Sequence, residues 1–159
     1  MKINIDGKAF VIDEKKSILE ICKENNIKIP TLCFHKSLFP EARCRICLVE
    51  MNGKLVTSCS TKPIEGANIL TSSERITKAR KMNLELMNPN INLNELANDF
   101  EAKEIYDQIG LHNERFNSIK DYVPELGDAI VRNNNKCINC GRCVQVCGKI
   151  QEIYAIDFS

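Results

Sequence analysis

Four cysteines organise the first half of the chain: Cys33, ten residues, Cys44, two residues, Cys47, eleven residues, then Cys59. Single cysteines on either side of a tight pair make chemical sense only if separate loops converge, so this half must fold around its sulfurs. A second group, Cys137, Cys140, Cys143 and Cys147, lies near the C-terminus, and Cys22 stands apart.

A thiolate-ligated diiron centre needs two cysteines on each iron. The Cys44-x-x-Cys47 turn can bring two sulfurs near one metal while flanking loops complete the shell. Four thiolates also suit tetrahedral zinc, although zinc ribbons usually present two such turns and this segment has one. Cys33-Phe34-His35 contains half of a Rieske pair, but Cys44-x-x-Cys47 replaces the other half, leaving an all-cysteine site. Arg43, Arg45 and the backbone amides around them supply positive potential for a negatively charged cluster.

The second group reads Cys-x2-Cys-x2-Cys-x3-Cys, the bacterial run for a [4Fe–4S] cluster, with Gly141 allowing close backbone approach. In two-cluster ferredoxins the fourth cysteine of such a run serves the other cluster. Cys137, Cys140 and Cys143 are then three ligands lacking a fourth. Three resolutions are open: Cys147 bends back to close the site, a partner chain supplies the ligand, or the site is incomplete and labile. The latter two are favoured over the first. Zinc on these four cysteines is the weaker alternative. Cys22, on the apolar face of a helix, is expected to be a buried core thiol rather than a ligand.

Nine cysteines argue for metal or redox chemistry if the chain is cytosolic, where thiols stay reduced. That compartment is the expectation: no apolar run approaches the ~20 residues of a membrane span, and MKINIDGKAFVI lacks a signal-peptide core. With 22 basic and 21 acidic residues the net charge is +1, so neither nucleic acid nor an anionic membrane is an indicated partner.

Along the chain, strands are expected at Lys2–Ile5 and Ala9–Ile12 around Asp6-Gly7, and at Ile46–Met51 and Lys54–Ser58 around Asn52-Gly53. Between the hairpins, Ser17 caps a helix burying Ile18, Leu19, Ile21 and Cys22 that must stop by Pro30. A strand at Ala67–Leu70 completes an α+β unit, one helix across a small mixed sheet as in a β-grasp. Helices follow from Ser72 or Ser73 to Pro89 and from about Leu93 to Gln108. Residues 112–132 read as a linker, and Ile153–Phe158 as a strand. Arg75, Lys78, Arg80 and Lys81 read as a solvated helix face, with docking of an acidic partner as the alternative.

Ile29-Pro30-Thr31-Leu32-Cys33-Phe34-His35, Cys44-Arg45-Ile46-Cys47-Leu48-Val49-Glu50 and Cys59 together resemble the N-terminal [2Fe–2S] domain of clostridial-type [FeFe] hydrogenases. The same domain occurs in the large iron–sulfur subunit of NADH:quinone oxidoreductase and in some formate dehydrogenases. The resemblance implies a plant-ferredoxin-like β-grasp that passes single electrons. Residues 73–87 resemble these families too, and there one histidine and three cysteines for a further cluster follow. From Asn88 to Leu96 this chain has neither, so that loop reads as deleted, no metal is expected there, and His112 is expected to be solvated. Cys143 through Phe158 resembles the clostridial enzymes, with Gly148 where the run usually carries proline.

Three units are therefore expected: a β-grasp [2Fe–2S] domain over 1–71, a helical connector over 72–130 and a partial [4Fe–4S] unit over 131–159. Iron is held through the same cysteines. The expected role is to relay single electrons to or from a partner oxidoreductase of hydrogenase or NADH dehydrogenase type, without substrate chemistry of its own. The rival readings are a truncated accessory region of a hydrogenase and a structural or sensing metal module.

Overall fold

The structure, a computed structural model, describes residues 1–13, 15–87, 101–110, 116, 125–126, 131–133 and 136–158. The reading of 88–96 as a deleted loop, His112 and most of the 112–132 linker lie outside those residues.

The first unit is mixed α and β. Strands β1 (Lys2–Ile5) and β2 (Lys8–Val11) form a hairpin, as do β3 (Leu48–Met51) and β4 (Lys54–Thr57). Both turns put two residues in the left-handed region, Asp6-Gly7 and Asn52-Gly53, which matches the right-handed twist of the flanking strands. Strand β5 (Asn68–Leu70) runs between the hairpins, giving the order β2-β1-β5-β3-β4 with β5 parallel to β1 and antiparallel to β3. The turn residues also fix that insertion. The Asp6 carboxylate accepts from the Thr71 N–H and hydroxyl at 2.8 and 2.6 Å, and Asn52 Oδ1 accepts from the Asn68 N–H at 2.8 Å.

Helix α1 (Ile18–Glu24) starts at a reciprocal cap: Ser17 Oγ accepts from the Glu20 N–H, and the Glu20 carboxylate accepts from the Ser17 N–H. Its apolar face, Ile18, Leu19, Ile21 and Cys22, packs on Ile3, Ile5, Val49 and Ile69 in one core with Cys47 and Cys59. Burying each large aliphatic side chain there contributes about 1.5–3 kcal/mol. Two of the four sulfurs are thus seated in the main core.

Helix α2 (Glu74–Met87) is capped by Ser73, whose Oγ accepts from the Ile76 N–H at 3.1 Å. With helix α3 (Glu101–Ile109) it builds a second core in which Leu84, Ala102, Ile105 and Tyr106 meet Leu32, Ile46 and Ile138. Within the expected linker, β6 (Glu125–Leu126) pairs antiparallel with β7 (Val131–Arg132). Helix α4 (Arg142–Gln145) runs into a π-helical turn, Val146–Ile150.

Two sequence expectations are corrected. Strand β3 starts at Leu48 rather than Ile46, because Ile46 and Cys47 stay in the ligand-bearing loop. Ile153–Phe158 is not a strand. Its amides fold back on one residue instead: Ile153 and Tyr154 donate to the Cys147 carbonyl at 3.0 and 3.4 Å, with Glu152 and Tyr154 at positive φ. Among the described residues, no helix is long and apolar enough to cross a membrane.

Candidate metal centre

Cys33, Cys44, Cys47 and Cys59 are all buried and free of disulfides. They divide between the two cores, Cys47 and Cys59 in one and Cys33 and Cys44 in the other, and within each pair the thiols are near enough to shift each other's ionisation. The pairs are neighbours, since the charge of Cys33 and Cys44 also acts on Cys59. The neighbouring thiols therefore come from different segments, Cys33 with Cys44 and Cys59 with Cys47. The reason is local backbone. Ala42 and Arg45 adopt φ of 55° and 53°, so the chain turns sharply on both sides of Cys44. The Ile46 N–H is thereby aimed at Cys44 Sγ, 3.5 Å away.

This donor set fits a two-iron cluster. Two thiolates per iron is what such a cluster requires, whereas zinc needs all four around one point. The site is also prepared for negative charge. The bond from Cys33 draws the Cys44 thiol down to about 6, against the opposing effect of burial, with the Ile46 N–H assisting. The bond from Cys59 draws Cys47 down to about 7, with the Ser58 hydroxyl assisting. Each donating partner is pushed well above the ordinary thiol range. His35 is exposed, and its Nδ1 accepts from the Ser37 N–H at 3.2 Å, in keeping with an all-cysteine site.

The basic side chains of α2 do not form one face. Arg80 lies four residues from both Ile76 and Leu84 and turns inward with them, donating to the carbonyls of Leu48 at 2.6 Å and Thr71 at 3.2 Å. Arg75 donates to the Gly53 carbonyl at 2.7 Å, and Lys78 pairs with Glu74. Asn83 reaches the Arg45 carbonyl at 3.2 Å, so the helix also braces the ligand loop.

In the second group, Cys140 senses the charge of both Cys143 and Cys137, and burial pushes its thiol up. Cys143 is exposed. Cys147 is engaged differently: it is buried under the C-terminal tail, and its Sγ accepts from the Ala155 N–H at 3.2 Å. Cys22 is fully buried and pushed up to about 11 by desolvation. Gly141, at φ 74°, does permit close approach, made here by Arg43 and Phe158, each 3.0 Å from where a Cβ would stand.

The two groups touch. Cys33, Cys44 and Ile138 belong to one buried cluster against which Cys140 packs. Arg142 reaches across it to the carbonyls of Leu32, of Cys33 at 3.4 Å and of Phe34 at 2.8 Å. Gln145 exchanges hydrogen bonds with the Phe39 backbone at 3.0 and 3.1 Å, and Arg43 stacks on the Phe158 ring. Sequence reasoning missed Arg142. Its signal was a cation placed inside a ligand run, between Cys140 and Cys143.

Comparison with known families fits this geometry. Residues 1–74 match the 2Fe-2S iron-sulfur cluster binding domain, and residues 130–148 match the 4Fe-4S binding domain. The chain is an iron–sulfur module. The module is 32% identical over 168 aligned positions to iron hydrogenase 1 of Clostridium pasteurianum, covering 98% of this chain and 29% of that protein. It is 29% identical over 160 positions to an NADH-quinone oxidoreductase subunit of Rhizobium meliloti, covering 94% of this chain and 19% of the relative. The module thus spans less than a third of the length of these curated relatives. The crystal structure of an NAD+-reducing [NiFe]-hydrogenase shares its fold, with a TM-score of 0.86 at 22% identity over 96% of this chain and 68% of that one.

Proposed function

We propose that Cys33, Cys44, Cys47 and Cys59 hold a [2Fe–2S] cluster and that Cys137, Cys140 and Cys143 provide three ligands of a [4Fe–4S] cluster. On this reading the chain relays single electrons between the two sites and a partner oxidoreductase. The carrying observation is the shared packing of Cys33, Cys44 and Cys140, which brings both ligand sets to one apolar wall. Bound there, the clusters supply reversible one-electron chemistry. The chain's own residues ligate, exclude water and aim N–H groups at sulfur.

The five-stranded mixed sheet with α1 packed across it supports a plant-ferredoxin-like β-grasp over 1–71. The connector of 72–130 then braces the ligand loop through α2, and 131–159 forms the partial [4Fe–4S] unit. The bond from Ala155 to Cys147 favours an external fourth ligand over closure by Cys147, and the exposure of Cys143 marks where a partner would cover the site. That partner is of hydrogenase or NADH dehydrogenase type, by analogy with the relatives. Catalysis belongs to it. Nine cysteines, eight of them in two ligand-spaced groups, support a reducing cytosolic setting.

Stepwise titration of the anaerobically purified chain with dithionite tests the relay. The expected result is a visible spectrum that bleaches and returns on reoxidation. A colourless, zinc-loaded protein would rule out the reading.

A further inference from the structure

We infer that Ser58 and Arg80 are positioning residues for the two-iron site, which stabilise negative charge on the Cys47 sulfur and so raise the midpoint potential of the centre. The inference rests on the ligand assignment proposed above.

Ser58 is fully buried, and its hydroxyl has no hydrogen-bond partner among the described residues. Its backbone is locked on both sides: the Ser58 N–H donates to the Cys47 carbonyl at 3.1 Å, and the Ser58 carbonyl accepts from the Leu19 N–H at 2.9 Å. This clamp holds Ser58 opposite Cys47, one step beyond the Leu48–Thr57 pair, so its hydroxyl lies on the same side as that ligand's side chain. A buried hydroxyl left unmatched carries the full cost of its desolvation. An anionic sulfur removes that penalty, because hydrogen bonds to charged acceptors are the stronger class.

Arg80 presents the same problem with a full charge. Two carbonyls occupy its Nη2, one of them from Leu48, the residue after Cys47. Its Nε is buried without a hydrogen-bond partner among the described residues, and negative charge on Cys47 favours its ionised form against the cost of burial. A desolvated guanidinium is tolerated when negative charge lies within reach. Cys47 and the centre it would ligate provide that charge, and one-electron reduction increases it. A cation and an O–H donor behind one sulfur therefore favour the reduced state, through hydrogen bonding to sulfur and local charge.

The test is a potentiometric EPR titration, with dithionite as reductant, of the full chain and its Ser58→Ala, Arg80→Gln and Arg80→Lys variants at matched iron content. Ser58→Ala is expected to shift the oxidised-to-reduced ratio at fixed potential severalfold toward oxidised. Arg80→Gln is expected to shift it about tenfold, or about 59 mV lower for one electron. Arg80→Lys should restore most of the shift. If Arg80→Gln does not fold, the nearly isosteric Ser58→Ala decides alone. Wild-type midpoints at wild-type iron content would overturn the inference while the ligand assignment stands. Absence of a two-iron signal from the wild-type chain would overturn both.

Discussion

Arg142 donates from Nε to the carbonyl of Cys33 at 3.4 Å, so a residue between two cysteines of the second run holds the first cysteine of the first. The same guanidinium binds the carbonyls of Leu32 and Phe34. The two sites share no ligand, yet they share a clamp. Arg142 thus ties the Cys33 loop to the second cysteine run, together with the Gln145–Phe39 bonds and the Arg43–Phe158 stack.

Arg142→Ala leaves carbonyls of the Cys33 loop without their charged donor. Hydrogen bonds to charged groups contribute about 1.5–3 kcal/mol each and do not add fully, so a loss of about 2–4 kcal/mol is expected in denaturant unfolding. Arg142→Lys should recover only part of it, because an ammonium cannot reproduce the planar fork. Unchanged stability in Arg142→Ala would remove the clamp from the account.

Cys47→Ser should abolish or severely weaken the [2Fe–2S] signal without changing the iron content of the C-terminal group. Cys22→Ala should keep both, with a stability loss of about 1–2 kcal/mol from the small cavity under α1. The discriminating readout is EPR with iron content. A normal [2Fe–2S] signal in Cys47→Ser would refute the ligand assignment.

Legibility followed the range of the interactions involved. Both hairpins were visible because Asp6-Gly7 and Asn52-Gly53 encode their turns locally, and α1 because Ser17 and Glu20 lie three residues apart. The α2 cap and its apolar positions were equally local. The inward turn of Arg80 was readable in its spacing from Ile76 and Leu84, but a charged residue was assigned to solvent by type. Pairing of Cys33 with Cys44, and of Cys47 with Cys59, depends on left-handed backbone at Ala42 and Arg45, neither a glycine. The collapse of Ile153–Phe158 onto Cys147 reflects tertiary bonds that overrode a strand-like pattern.

Stability of the metal-free, reduced chain should depend on pH through the two lowered thiols. Cys44 and Cys47 titrate at about 6 and 7 in the folded chain, against about 8.5 unfolded. Their contribution is fully present above pH ~8.5 and is lost as pH falls through 7 and then 6. Cys33 and Cys59 are raised, so they weaken the fold as pH climbs beyond ~8.5. The urea midpoint should thus be higher at pH 8 than at pH 6, with thiolate absorbance rising over the same interval. A midpoint that falls between those values would contradict the paired arrangement.

Ser17→Ala removes the side-chain half of the α1 cap and should lower stability by about 1 kcal/mol, measured by thermal unfolding of the iron-loaded protein. Ser17→Asp should retain most of it. No change in Ser17→Ala would mean that tertiary packing alone sets the start of α1.

The central claim is that four paired thiols hold a two-iron cluster. Iron and acid-labile sulfide analysis, combined with low-temperature EPR of the anaerobically purified, dithionite-reduced chain, tests it most directly. The account expects a [2Fe–2S] signal with at least about two irons and two sulfides per chain. Additional iron with a [4Fe–4S] signal would appear when the C-terminal site finds its fourth ligand. Stoichiometric zinc, with no iron, no sulfide and no EPR signal, would contradict it.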